Sequence, residues 1–397
     1  MKRSHILPIL VGVLAMALYA FLVHEAYTWR GNTHPDFFIE WVGSRVALRG
    51  ENPYSDETTA SIQLGSKGQQ VSKGEDQLAF VYPYYRVFLN APIAFFPYDW
   101  ATAIWHTIME VALMVSALLF VRAIHWRASM GDLLLISAMA VFAYPAFGGL
   151  VLGQMAIGVL ALILIAYWAL IQKHDFAAGG CLALATVKPQ LAILTLAFLL
   201  TWCLVLRRWR VILAFAVTLS ALFAASFLLF PPWLEELVRV CLRYPSYKNV
   251  QTGPGYLLAG SGEGLGFWLL EGVFIAWLIF GWWLSVKGPQ CWLEGGFTLS
   301  LAMTCFLLPQ TSIVNQIVLL PAILLLLRDL PTWVLRLVVI VLVVGGSWLA
   351  FALLYNTSYD LNMSVPPLAV LLALAGWYVA KGMRDARSGS LPDTAHS

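Results

Sequence analysis

Charge is the scarcest property of this sequence. Asp, Glu, Lys and Arg make up 11% of its 397 residues, against about a quarter in soluble globular chains, and this shortage excludes a water-soluble domain. The formal net charge is +3 and the basic residues are scattered among hydrophobic runs; without an Arg- or Lys-rich face, a nucleic-acid partner is excluded. Of the five cysteines, Cys181, Cys203, Cys291 and Cys305 fall in or beside apolar segments and Cys241 stands alone in a polar one. With no Cys-x-x-Cys spacing, neither a disulfide framework nor a zinc site is supported. His24 and His34 flank a polar stretch, yet there is no His-Glu-x-x-His and no carboxylate cluster, so no metal is expected. No small-x-small cleavage site follows the apolar run Ile6–Val23, which ends in His24-Glu25, so that run reads as a retained first span.

What is present is hydrocarbon: 60% hydrophobic residues and a mean hydropathy of +0.77. The fold expected is an all-α polytopic membrane protein, one integral membrane domain over residues 1–397. Twelve apolar runs are candidate membrane segments, at 6–24, 100–121, 132–151, 155–172, 176–187, 190–206, 210–230, 266–286, 292–308, 313–327, 332–354 and 363–380. Short loops carrying Arg122, Arg127, Lys173, Arg207, Arg208, Arg210, Lys287, Arg328 and Arg336 alternate with them and fall on one side. By the positive-inside rule that side is cytoplasmic, as are both termini and the tail 381–397. The long polar stretches 25–99 and 231–265 then lie outside.

Residues 176–206 are too few for two full spans, which need roughly forty residues, so this pair is expected as short helices meeting at Lys188-Pro189. In the first outer stretch, Phe37, Phe38, Trp41, Val42, Val46 and Leu48 recur at near-helical spacing, with Glu40, Ser44, Arg45 and Arg49 between them. This predicts an interfacial helix stopped by Gly50 and Pro53. Residues 55–79 read as a mobile solvated loop and 253–266 as a flexible glycine-rich one, with no phosphate-loop spacing. Leu234, Leu237, Val238, Cys241 and Leu242 mark a second amphipathic helix behind Pro231-Pro232. No internal repeat is visible, which counts against an inverted-repeat transporter.

Asp36, after Pro35 at the outer surface, is placed to take a proton from an acceptor hydroxyl; a helix N-cap explains the same position. Lys188 is the one basic residue in a long apolar stretch, beside a helix-breaking proline, and suits a lipid phosphate; snorkelling to the interface is the other reading. His106 and Glu110, one turn apart, share a face and either line a cavity or satisfy each other, and Glu271 is a weaker case of the same kind. Arg45, Arg49, Arg86, Arg239, Arg243 and Lys248 supply cations at headgroup level.

These residues fall in an ordered set of motifs: Asp36-Phe37, Gly50-x-x-Pro53-Tyr54, Phe80-x-Tyr82-Pro83, Pro92 and Pro97 with Trp105, Gly153-Gln154, and Lys188-Pro189-Gln190. The set resembles the GT-C glycosyltransferases, specifically glycosyltransferase family 87, the polyprenol-phosphate-mannose-dependent mannosyltransferase-like proteins, over roughly the first half of the chain. The resemblance implies a GT-C type bundle in a bacterial cytoplasmic (inner) membrane. It also implies transfer of a sugar, mannose or a similar hexose or pentose, from a polyprenyl-phosphate donor to a glycolipid or glycan acceptor. The transfer is outward-facing, inverting and without cofactor or metal. By the same likeness Asp36 matches the general base and Lys188 the donor-phosphate contact, with Arg45 and Arg86 as further phosphate contacts. Glu40, Tyr82, His106, Glu110, Gln154, Gln190, Asn315 and Gln316 are then the candidate cavity lining. The chain departs from the family where a late Ser-Pro is often followed by His or Asp: it reads Leu308-Pro309-Gln310-Thr311-Ser312, then Asn315-Gln316. A transporter or flippase of lipid-linked sugar is the alternative, and a non-catalytic assembly subunit a third; alternating access would separate the first from an enzyme.

Overall fold

The structure is a computed structural model that describes residues 6–30, 35–258, 264–288, 290–354 and 359–387. Among these residues there are eighteen α-helices and no strand, as a chain must be whose backbone is satisfied within each segment in hydrocarbon. Every apolar run coincides with helix. The long ones are α5 (Tyr98–Ala123), α11 (Trp209–Leu229), α14 (Leu265–Lys287), α17 (Trp333–Leu354) and α18 (Tyr359–Arg387). These five are long and apolar enough to cross a membrane. A sixth span results if α6 (Met130–Phe142) and α7 (Tyr144–Leu152), bent by 53° at their junction, count as one. The other runs give α1 (Ile6–Ala26), of 21 residues, and the shorter α8 (Ala156–Ile171), α9 (Asp175–Ala185), α10 (Pro189–Val205), α15 (Gln290–Leu307), and a 3-10 turn Ile313–Leu319 leading into α16 (Leu320–Arg328). The chain is therefore a multi-pass membrane protein.

Two compact units divide the chain: Met1–Ala112 with Gly148–Met155 and Ser220–Asn249, and Leu113–Phe147 with Ala156–Leu219 and Val250–Ser397. In the first, α2 (Pro35–Leu48) packs on α3 (Asp56–Lys67) and α4 (Arg86–Ala94). The helix stops as expected, at Gly50 with φ +78°. Its packed face, however, is Phe37, Glu40, Gly43, Ser44, Val46 and Ala47, while Leu48 is exposed and Trp41 and Val42 are half-buried. The polar positions turn inward because α4 offers them partners. Gly43 lets the Phe80 ring lie directly on the helix, where a Cβ would collide.

The stretch expected as a mobile loop holds α3 over part of its length. Ser55 caps it by accepting from Thr58 N–H at 3.1 Å, Asp56 and Glu57 fill its first turn, and Gly68 (φ +72°) ends it in the left-handed region. Likewise Cys241 lies on α12 (Trp233–Arg243), the amphipathic helix. There Trp233 and Val240 are buried while Leu234, Val238 and Leu242 stay exposed.

In the second unit α15 is the centre, buried along its length against α10, α14, α16 and α18. Buried Glu294 pairs with Arg328 of α16. A capping box between Ser129 and Asp132 opens α6, and Asp132 also pairs with Arg336 of α17 at 3.2 Å. The glycine-rich stretch is no open loop at its start: Gly253–Leu257 forms the short helix α13, with Gly253 against the Phe306 ring and Tyr256 buried. Residues 259–263 lie outside the described residues.

Candidate active site

Asp36 sits in the first turn of α2, one residue past Pro35. An anion there is favoured by the helix dipole. Half-buried, its carboxylate accepts a hydrogen bond from Gln154 Nε2. Gln154 follows Gly153, whose φ of +70° turns the chain between α7 and α8, and Trp105 Nε1 donates to the Gly153 carbonyl at 2.9 Å. Phe37 stacks on Trp105 with centroids 5.0 Å apart. One aromatic pair therefore ties the start of α2 to the turn that presents Gln154.

One turn further along α2, Glu40 and Arg86 form a fully buried ion pair. Arg86 Nε donates to Glu40 Oε2 at 2.7 Å, and the guanidinium lies 4.9 Å from the Trp105 ring. Asn90 Nδ2 donates to Glu40 Oε2 at 3.3 Å and to Ser44 Oγ at 3.2 Å. Arg86, a phosphate contact in the sequence reading, has its charge met by Glu40 in the interior of the first unit. Arg45 lies 4.7 Å over the Trp41 ring and reaches the Phe96 carbonyl at 3.5 Å.

Two groups join the electrostatics of Asp36. Burial pushes the Tyr82 phenol well above the ordinary tyrosine range, and the carboxylates of Glu40 and then Asp36 push it the same way. Burial works against the Lys248 charge, but a 2.7 Å pair with Asp76 outweighs it; Tyr244 and Asp36 add smaller attractions, and the lysine stays above its ordinary range. Lys248 was legible only as one of several interfacial cations, since its approach to Asp36 joins loops far apart in sequence. His106 and Glu110 do share a face, 3.6 Å apart, but they turn towards α1, where Tyr19 donates to Glu110 at 2.5 Å.

In the second unit, the break between α9 and α10 falls at Lys188, with Pro189 as the first residue of α10, a position where its missing N–H costs nothing. Lys188 is buried, and its ammonium donates to Asn315 Oδ1 at 3.0 Å. Asn315 Nδ2 donates to Gln310 Oε1 at 3.0 Å, and Gln310 Nε2 to the Thr304 carbonyl at 3.1 Å. Gln310 is further fixed by a backbone bridge to Gln251 and by the Tyr256 hydroxyl on its carbonyl at 2.9 Å. The segment where the chain departs from the family is thus the one that holds Lys188. Gln316 instead donates to the Asn362 and Met363 carbonyls at 2.8 and 3.3 Å, and Gln190 is exposed. Among the described residues no three His, Cys, Asp or Glu side chains gather as a metal-ligating group.

The profile of glycosyltransferase family 87 matches residues 80–311, more than half of the chain. The match includes Tyr82, Arg86, His106, Glu110, Gln154, Lys188 and Gln190; Asp36, Glu40 and Arg45 precede it, and Asn315 and Gln316 follow it. No curated protein and no solved structure matches the chain. An all-helical multi-pass protein carrying the Gly153-Gln154 and Lys188-Pro189 elements inside that matched stretch belongs to glycosyltransferase family 87.

Proposed function

We propose that this glycosyltransferase moves a sugar, mannose or a similar hexose or pentose, from a polyprenyl-phosphate donor to a glycolipid or glycan acceptor. The reaction takes place at the outer face of a bacterial cytoplasmic membrane. The observation that carries the reading is the placement of the Asp36 carboxylate: a half-buried acid in the first turn of a helix, with the Gln154 amide among its partners, where an acceptor hydroxyl could give up its proton. Asp36 removes the proton of the acceptor hydroxyl as its oxygen bonds to the anomeric carbon. The bond from that carbon to the phosphate oxygen breaks on the opposite face, so the centre inverts. Polyprenyl phosphate departs already ionised and needs no general acid, which accounts for one essential carboxylate instead of the flanking pair of glycoside hydrolases. Lys188 contacts the donor phosphate and stabilises the charge that develops there. The donor carries its own activated bond, so no cofactor takes part. The loops rich in Arg and Lys support a cytoplasmic side opposite the polar stretches 25–99 and 231–265.

The test is release of polyprenyl phosphate by purified protein given polyprenyl-phosphate sugars and a membrane lipid extract. Release that depends on both substrates is expected. A protein that moves the donor across vesicles without consuming it would be a flippase, and the proposal would fall.

A further inference from the structure

The second unit contains a cavity of about 270 Å³ that no step of the proposed transfer uses; Gln316, expected from the sequence in the substrate cavity, lines it, with its amide donating to the Asn362 and Met363 carbonyls. It is walled by α17, α18, the α6–α7 bend and the Ile313–Leu319 turn, and small side chains facing one another create it: Gly346 and Ala350 on α17, Ala369 on α18, Ala143 at the bend. A Cβ on Gly346 would meet open space. Leu342, Gly346 and Ala369 are exposed, so the cavity opens on the surface of α17 and α18 that hydrocarbon covers. Its walls are almost wholly apolar, and a water inside would lack the two to four polar partners that hold buried water. From Leu342 to Ala350 the helix rises about 12 Å, and against the ~150 Å³ cavity that takes up benzene, this one has room for roughly ten carbons.

One end is different. Asn362, in the first turns of α18 where a span leaves the hydrocarbon, lines the cavity, is 2% exposed, and its amide nitrogen has no hydrogen-bond partner. Such a donor wants a neutral acceptor oxygen. No Lys, Arg, His, Asp or Glu is among the lining residues, so the site has nothing to meet a phosphate. We infer that this cavity holds one acyl chain of a glycerolipid, its ester carbonyl accepting from Asn362 Nδ2 and its hydrocarbon running down between α17 and α18. The occupant is a lipid of the surrounding membrane, separate from the phosphate-bearing donor, and the inference stands whether or not the proposed transfer reaction is right.

The test is native mass spectrometry of the full chain, stripped of lipid in detergent and titrated with dioleoyl phosphatidylglycerol, dioleoylglycerol or polyprenyl phosphate. One retained ester lipid is expected, with dioleoylglycerol competing as well as the phospholipid because the cavity reads the ester and not the headgroup. Gly346→Leu, which fills the space, should weaken retention at least about tenfold. Asn362→Leu, which leaves the space and removes the donor, should weaken it about fivefold, the size of one neutral hydrogen bond. Thermal unfolding midpoints establish that each variant folds; if Gly346→Leu does not, Asn362→Leu alone decides. Unchanged retention in the folded variants overturns the inference, as does polyprenyl phosphate displacing dioleoylglycerol from the site.

Discussion

Asp36, half-buried, and Lys188, buried, are charged side chains held in different surroundings. Around Asp36 the first unit gathers charges of both signs: Glu40 with Arg86, and Lys248 with Asp76. The carboxylate itself is gripped by a neutral carboxamide, Gln154. Around Lys188 the second unit supplies a relay of carboxamides, Asn315 and then Gln310, which orients the ammonium. Ion pairs brace the scaffold of the first unit, and a carboxamide is among the partners of each of the two groups proposed for the chemistry.

The comparison can be broken first at the ion pair. Arg86→Met should cost about 3–5 kcal/mol of stability, since Glu40 would be left buried without its counter-charge, whereas the double variant Glu40→Leu/Arg86→Met should recover most of that loss. Thermal unfolding in detergent measures both, and a double variant as unstable as the single one would make the pair more than a scaffold. Lys188→Ala should weaken donor binding about tenfold to a hundredfold, the range of a hydrogen bond to a charged group. Equilibrium binding of a polyprenyl-phosphate sugar reads it, and an unchanged affinity would mean that the lysine only snorkels. Gln154→Leu sharpens the contrast on the other side, with turnover falling about tenfold and donor affinity unchanged.

The smallest effect belongs to Lys248. Its pair with Asp76 is partly exposed, so Lys248→Met should change stability by no more than about 1 kcal/mol. Because the folded-state value is raised, this contribution is fully present below the ordinary lysine value of 10.5 and is lost only as pH rises through the folded value. The gap in unfolding midpoint between wild type and variant should therefore be flat from about pH 6 to 9 and close at higher pH.

Much of this was legible in the sequence where local physics decides. Twelve apolar runs became helices because length and hydropathy are sufficient signals in hydrocarbon, and the Lys188-Pro189 break followed from too few residues for two spans. The Gly153-Gln154 turn was visible as a motif, although its delivery of Gln154 to Asp36 was not. The buried face of α2 was misread because Glu40 and Ser44 look solvent-facing until Arg86 and Asn90 are brought to them from α4. Helix α3 was missed although Ser55, Asp56, Glu57 and Gly68 spell its two caps, since polar composition outweighed them. Gly253–Leu257 is ordered by the Phe306 ring, a contact that no local pattern announces.

The central claim is that Asp36 does chemistry and does not hold the donor. Asp36→Asn keeps an oxygen for Gln154 and removes the base, and the measurement is donor affinity and polyprenyl-phosphate release on the same purified variant. The account expects affinity equal to wild type with release reduced about a hundredfold to ten-thousandfold, the range of general-base catalysis. Release near the wild-type rate would contradict it.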